Sequence, residues 1–122
     1  MYEVEIISEF NSAHRLRHYK GKCEALHGHN WKVKAIVRSD GLDDLGMVMD
    51  FKELKHCLKK ILTVLDHKYL NNVPYFKKVN PTSENIAKFI HYNLSLKLKK
   101  AESLKVAKVT VWETDTSAAS YL

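Results

Sequence analysis

The chain has 122 residues, 45% apolar and 28% charged, which predicts one domain over residues 1–122 with a modest core. Its 20 Lys and Arg against 14 Asp and Glu give a net charge of +6, favouring an anionic partner such as a phosphorylated metabolite. With no apolar run near the ~20 residues of a membrane span, an acidic alternating start unlike a signal peptide, and lysines scattered without a nucleic-acid-binding motif, the expected protein is cytoplasmic, with neither membrane nor nucleic acid as partner.

Tyr2, Val4 and Ile6 alternate with Glu3 and Glu5, which predicts a strand running toward His14, with His14 beyond its end. A loop follows through Arg17-His18-Tyr19-Lys20-Gly21-Lys22. Trp31, Val33, Ala35 and Val37 then alternate with Lys32, Lys34 and Arg38, a second strand with one wet face. Asp40-Gly41 marks a turn. Asp50 with Glu53 reads as a capping box, and Phe51, Leu54, Leu58, Ile61, Leu62 and Leu65 recur at helical spacing up to an end near Asp66. Asn71, Asn72 and Pro74 break the chain. Thr82 or Ser83 caps a second helix, with Glu84 in its first turn and an apolar stripe of Ile86, Phe89, Ile90, Leu94 and Leu98. A third strand sets Ala107, Val109, Val111 and Glu113 on one face, and a short final strand covers 118–122. The order β-β-α-α-β-β predicts an α+β fold, an antiparallel four-stranded sheet with two helices on one face. The two open edges of so small a sheet invite association into a closed ring, so a homo-oligomer is expected.

The sharpest chemical feature is Cys23-Glu24-Ala25-Leu26-His27-Gly28-His29. Side chains two apart on a strand share a face, so His27 and His29 project together, with Gly28 adding no bulk between them. Two such imidazoles form half of a zinc site, and His14, folded back by the hairpin, is a plausible third ligand. Paired histidines on a strand also serve as surface or hydrogen-bonded residues. If Cys23 joins the metal, the site is closed and structural; if it stays off, it is a thiol near a cation, suited to nucleophilic or proton-transfer work; as a third reading it is a plain loop residue. Cys57, at a helix position, reads as packing, and two cysteines make no disulfide framework. Asp66-His67 pairs a carboxylate with an imidazole, the makings of a proton shuttle or of a helix-end contact. Glu113 ends an apolar strand face, where a buried carboxylate needs a partner; a ligand with two adjacent N–H donors would serve, as would solvent at a frayed strand end. His56 and His91 read as surface or interface residues, and His18 as flanking the site.

Together these pieces resemble the 6-pyruvoyl-tetrahydropterin synthase and 6-carboxy-tetrahydropterin synthase family. The resemblance is carried by Phe10-Asn11-Ser12-Ala13-His14, Cys23 through Asn30, Leu65-Asp66-His67-Lys68-Tyr69-Leu70-Asn71, Pro81-Thr82-Ser83-Glu84-Asn85 and Val111-Trp112-Glu113-Thr114, in family order over nearly the whole chain. Ser12 stands where Ala is often seen. The resemblance implies the tunnelling fold, in which trimers close a barrel and two trimers stack. It implies catalytic Zn2+ on His14, His27 and His29, Cys23 as the proton-abstracting base, Asp66 and His67 as the proton relay, and Glu113 as the anchor of the pterin ring. The implied substrate is 7,8-dihydroneopterin triphosphate. Three residues between Cys23 and His27 look like the bacterial 6-carboxy branch, a lyase that releases acetaldehyde and triphosphate and feeds queuosine and other deazapurines. The alternatives are a pyruvoyl synthase, which eliminates triphosphate without cleaving the side chain, and a non-catalytic zinc-stabilised binding module.

Overall fold

The computed structural model describes residues 1–20 and 25–122. Strands β1 (Tyr2–His14) and β2 (His27–Ser39) form a long antiparallel pair, from Tyr2 opposite Ser39 to His14 opposite His27. Alternation places Ile6, Phe10, Ser12 and His14 of β1 on the buried face, with Trp31, Val33, Ala35 and Val37 of β2. The other face carries Glu3, Glu5 and Glu9 against Lys32, Lys34 and Arg38, including a Glu3–Arg38 ion pair at 2.6 Å. Because the alternation continues past Ile6 through Phe10 and Ser12, His14 is the last residue of β1 and not a residue beyond it.

Helix α1 (Phe51–Leu65) starts where Asp50 accepts a hydrogen bond from Lys52 N at 2.8 Å. The cap therefore uses the second helical N–H, where a capping box would use that of Glu53. Leu54, Leu58, Ile61, Leu62 and Leu65 form its buried stripe, but Phe51 is 54% exposed. In α2 (Ser83–Leu98), Thr82 caps through Asn85 N at 3.1 Å, and Ile86, Ala87, Ile90, Leu94 and Leu98 are buried. The helices cover one face of the sheet, α1 against β1 and α2 against the C-terminal strands β4 (Lys105–Thr114) and β5 (Ser117–Tyr121). One apolar cluster joins both helices to the sheet. No helix is long and apolar enough to cross a membrane.

Among the described residues the sheet has five strands, in the order β3-β1-β2-β4-β5. The addition to the expected four is β3 (Lys68–Tyr69), which pairs parallel to β1 at Ser12 and Ala13. Two residues carry no readable periodicity, and tertiary placement alone makes them a strand. A second departure is in β4, whose pairing with β2 shifts between Ile36 and Val37: Ile36 faces Lys108, and Val37 faces Val106. The extra residue is Ala107, so Val106 packs against the core in the place the alternation assigned to Ala107.

Candidate metal centre

The paired ends of β1 and β2 gather the histidines. His14 lies opposite His27, and directly opposed residues point to the same face; His29 is two residues further along β2. That face is the helix-covered one. His14 Nε2 stands 2.9 Å from His27 Nε2, and the rings of His14, His27 and His29 lie edge-to-face at 4.5 to 5.2 Å between centroids. Trp31 is the floor: its ring sits 4.9 Å from His14 and 5.1 Å from His29, and its Nε1–H donates to Ser12 O at 3.1 Å. Gly28 contributes nothing to this clearance, since a Cβ there would meet no atom within 4 Å. Period-2 alternation, which turns it to the opposite face, suffices to bring the two imidazoles together.

The hydrogen bonds assign the protons. His14 Nδ1 lies 2.7 Å from Pro81 O, and His27 Nδ1 lies 2.8 Å from Ala25 O. A carbonyl only accepts, so each Nδ1 carries a hydrogen and donates it. In the neutral ring each Nε2 then presents a lone pair. Two lone pairs at 2.9 Å repel unless a cation lies between them. Burial, outweighing the Pro81 bond and Glu113, lowers the pKa of His14 below 6.5. His29 is lowered as well, mainly by burial, with Glu113 opposing. His29 Nε2 is itself buried and has no hydrogen-bond partner among the described residues; Glu113 Oε1 is 3.0 Å away but out of line for an N–H bond. Three imidazole nitrogens thus converge, one orphaned, two tautomers fixed by backbone carbonyls. This set fits Zn2+, which takes neutral imidazoles at about 2.0–2.1 Å.

Glu113, in β4, completes the group: one donor atom from each of His14, His27, His29 and Glu113 lies within 4.8 Å of the others. Oε1 is 4.0 Å from Nε2 of both His14 and His27, and Oε2 is 3.4 Å from Ser83 Oγ in the first turn of α2. The partner demanded for a carboxylate on an apolar face is therefore this polar cluster beside a helix N-terminus, which favours negative charge. Glu113 lies at the end of β4, one residue before Thr114, with its side chain half-buried against this cluster.

Asp66 and His67 stand elsewhere. They form the turn between α1 and β3, stapled to β1 by Asn11 N donating to Asp66 Oδ1 at 2.9 Å and His67 N donating to Asn11 O at 2.6 Å. Ser12 Oγ donates to Leu65 O and accepts from Lys68 N, bracketing the pair. The Asn11 bond, then His67, hold the Asp66 carboxyl below its ordinary pKa. Asp66 Oδ2 lies 3.0 Å from His67 Nδ1. His67 adopts the left-handed backbone, φ 54°, and its side chain is 78% exposed, facing a groove of about 540 Å³ with Thr63, Lys68 and Tyr69. The pair is not part of the histidine cluster. Cys23 lies outside the described residues. Cys57 packs against the core, His56 and His18 are exposed, and His91 meets Val106 O at 3.1 Å, its pKa lowered by burial.

Sequence reasoning missed the carbonyls of Pro81 and Ala25, the Ser83 hydroxyl and the Trp31 floor. Carbonyls leave no trace in residue identity. Trp31 was legible as a core-facing position two residues after His29, where the same period continues.

Three buried-face imidazoles with a nearby carboxylate, at the end of an α+β sheet, form a group that could hold a metal ion. Residues 3–122 match the family model described as 6-pyruvoyl tetrahydropterin synthase, and the chain belongs to that family. A 6-carboxy-5,6,7,8-tetrahydropterin synthase of Synechocystis is 43% identical over 117 residues, covering 92% of this chain and 86% of the relative. A 6-pyruvoyl tetrahydrobiopterin synthase of Poecilia reticulata is 33% identical over 129 residues, covering 94% and 86%. The solved 6-pyruvoyl tetrahydropterin synthase of Caenorhabditis elegans superposes with a TM-score of 0.88 at 31% identity, covering 98% of this chain and 94% of that one. The tunnelling fold of the family is thus the fold of this chain.

Proposed function

We propose that the chain, as a single domain, is a zinc-dependent 6-carboxytetrahydropterin synthase. With one water consumed, it converts 7,8-dihydroneopterin triphosphate to 6-carboxytetrahydropterin, acetaldehyde and triphosphate, in the cytoplasm and towards queuosine and other deazapurines. The observation that carries the reading is the convergence of three imidazole Nε2 atoms beside the Glu113 carboxylate. The 43% identity to a carboxy synthase supports the carboxy product.

His14, His27 and His29 would hold the zinc, which when bound supplies Lewis acidity to the substrate's side-chain oxygens. Glu113 accepts two side-by-side N–H groups from the amino-pyrimidine edge of the pterin, orienting the ring. Cys23 removes a proton as a thiolate. Asp66, kept ionised, fixes the Nδ1 side of His67 and leaves Nε2 free to carry a proton. Since the exposed His67 stands apart from the cluster of its own chain, this relay serves the site of a neighbouring subunit, in a trimer or a dimer of trimers.

Incubation of the zinc-loaded protein with dihydroneopterin triphosphate tests the reading. Equal amounts of acetaldehyde and 6-carboxytetrahydropterin are expected. A pyruvoyl product without acetaldehyde would move the chain to the branch represented by the Poecilia relative, and no turnover would leave the zinc-stabilised binding module.

A further inference from the structure

We propose that Asn80 is a positioning residue for His14, acting through the main-chain carbonyl of Pro81. The inference rests on the reading of His14 as a metal ligand.

After His14 the chain leaves the sheet, and Arg15 to Arg17 have no strand partner among the described residues. Two asparagine side chains take that place. Asn71 Oδ1 accepts from Arg15 N at 2.9 Å, and its Nδ2 donates to Arg15 O at 3.0 Å. Asn80 Oδ1 accepts from Arg17 N at 2.8 Å, and its Nδ2 donates to Arg17 O at 3.0 Å. Each carboxamide meets one residue's N–H and C=O as a neighbouring strand would.

The second of these pairs bears on the metal centre. Asn80 directly precedes Pro81, whose carbonyl takes the Nδ1–H of buried His14 at 2.7 Å. That bond fixes the tautomer and ring orientation that aim Nε2 at the cluster. The acceptor is a backbone atom, so its position depends on whatever holds the main chain at residues 80–82. Three devices do so. Asn80 grips Arg17, three residues beyond His14. Thr82 N and Asn85 Nδ2 donate to Asn80 O at 2.8 and 2.9 Å, tying it to the first turn of α2. The Arg17 guanidinium donates to the carbonyls of Phe76, Asn71 and Val79 at 2.6, 3.3 and 3.4 Å, with no carboxylate among these partners, and so holds the 71–79 segment down. Among the described residues, Asn80 is the side chain within 80–82 that bonds the chain leaving His14 directly.

The test is zinc affinity, measured by chelator competition on the purified full chain, alongside thermal stability. Asn80→Ala should weaken zinc binding about 10-fold or more, the range seen when partners behind metal ligands are lost. Asn80→Asp keeps the acceptor for Arg17 N and should lose less. Leu94→Val, a core truncation far along α2 from the clamp, should lower stability and leave zinc affinity unchanged. Asn80→Ala within about twofold of wild type, or Leu94→Val weakening zinc equally, would overturn the inference. If Asn80→Ala does not fold, Asn80→Asp decides: weaker binding at near-wild-type stability supports the clamp, and unchanged binding refutes it. A wild-type chain that binds no zinc would refute the metal reading and the clamp with it, whereas tight wild-type binding with an indifferent Asn80 refutes the clamp alone.

Discussion

His14 and His27 each commit one ring nitrogen to a main-chain carbonyl and turn the other to the same point. His14 and His29 are held below 6.5, first by burial, as is His91. In the unfolded chain these rings titrate near their ordinary value of 6.5. Below that pH the unfolded state binds more protons than the folded one, so stability is fully present above pH 6.5 and lost as pH falls toward the lowered folded values. Metal-free protein should therefore melt at a lower temperature at pH 5.5 than at pH 7.5; an equal or higher melting temperature at pH 5.5 would contradict the burial argument. Glu113 has two possible employers, metal and pterin. As the pterin anchor, Glu113→Gln should keep full zinc content while kcat/KM falls about 10–100-fold, the worth of one charge-assisted hydrogen bond. Loss of zinc instead would make Glu113 a ligand.

Between elements, what the residues spelled out was whatever repeats. Leu54, Leu58, Ile61, Leu62 and Leu65 announced α1, and Trp31, Val33, Ala35 and Val37 announced β2, because burial of one face imposes a period. Two-residue β3, the irregularity at Ala107 and the exposure of Phe51 have no period and are set by packing between distant segments. The Asp50 cap was legible, although its bond goes to Lys52 N. Asp50→Ala should cost about 1 kcal/mol in denaturant unfolding with the slope unchanged. Ser12, a small departure from the family pattern, turns out to be buried and bonded to both Leu65 O and Lys68 N, joining β1 to the turn that carries Asp66 and His67. Ser12→Ala should leave zinc content intact and lower stability by about 1–3 kcal/mol, since it strands a buried donor or acceptor.

At the scale of the molecule, β3 and β5 are the sheet's outer strands, each paired on one side within the chain. A ring of chains would pair such edges. The HxH half of the metal site could be read from spacing, and His14 from the hairpin. The separation of Asp66-His67 from that cluster could not, because it depends on which edge of the sheet receives residues 65–68. Nor could the Pro81 contact, which joins positions 67 residues apart through an atom every residue possesses. If sites are shared between neighbours, chains carrying Cys23→Ala and chains carrying His67→Ala, each inactive alone, should regain activity when co-assembled. Continued inactivity of the mixed assembly would place both groups in one chain's own site.

The claim beneath all of these is that His14, His27 and His29 hold one zinc ion. Elemental analysis of the folded protein, dialysed after zinc loading, measures it directly. One zinc per chain in the wild type, and essentially none in folded His29→Ala, is the expected result. Folded wild type without zinc, or His29→Ala retaining it in full, would contradict the account.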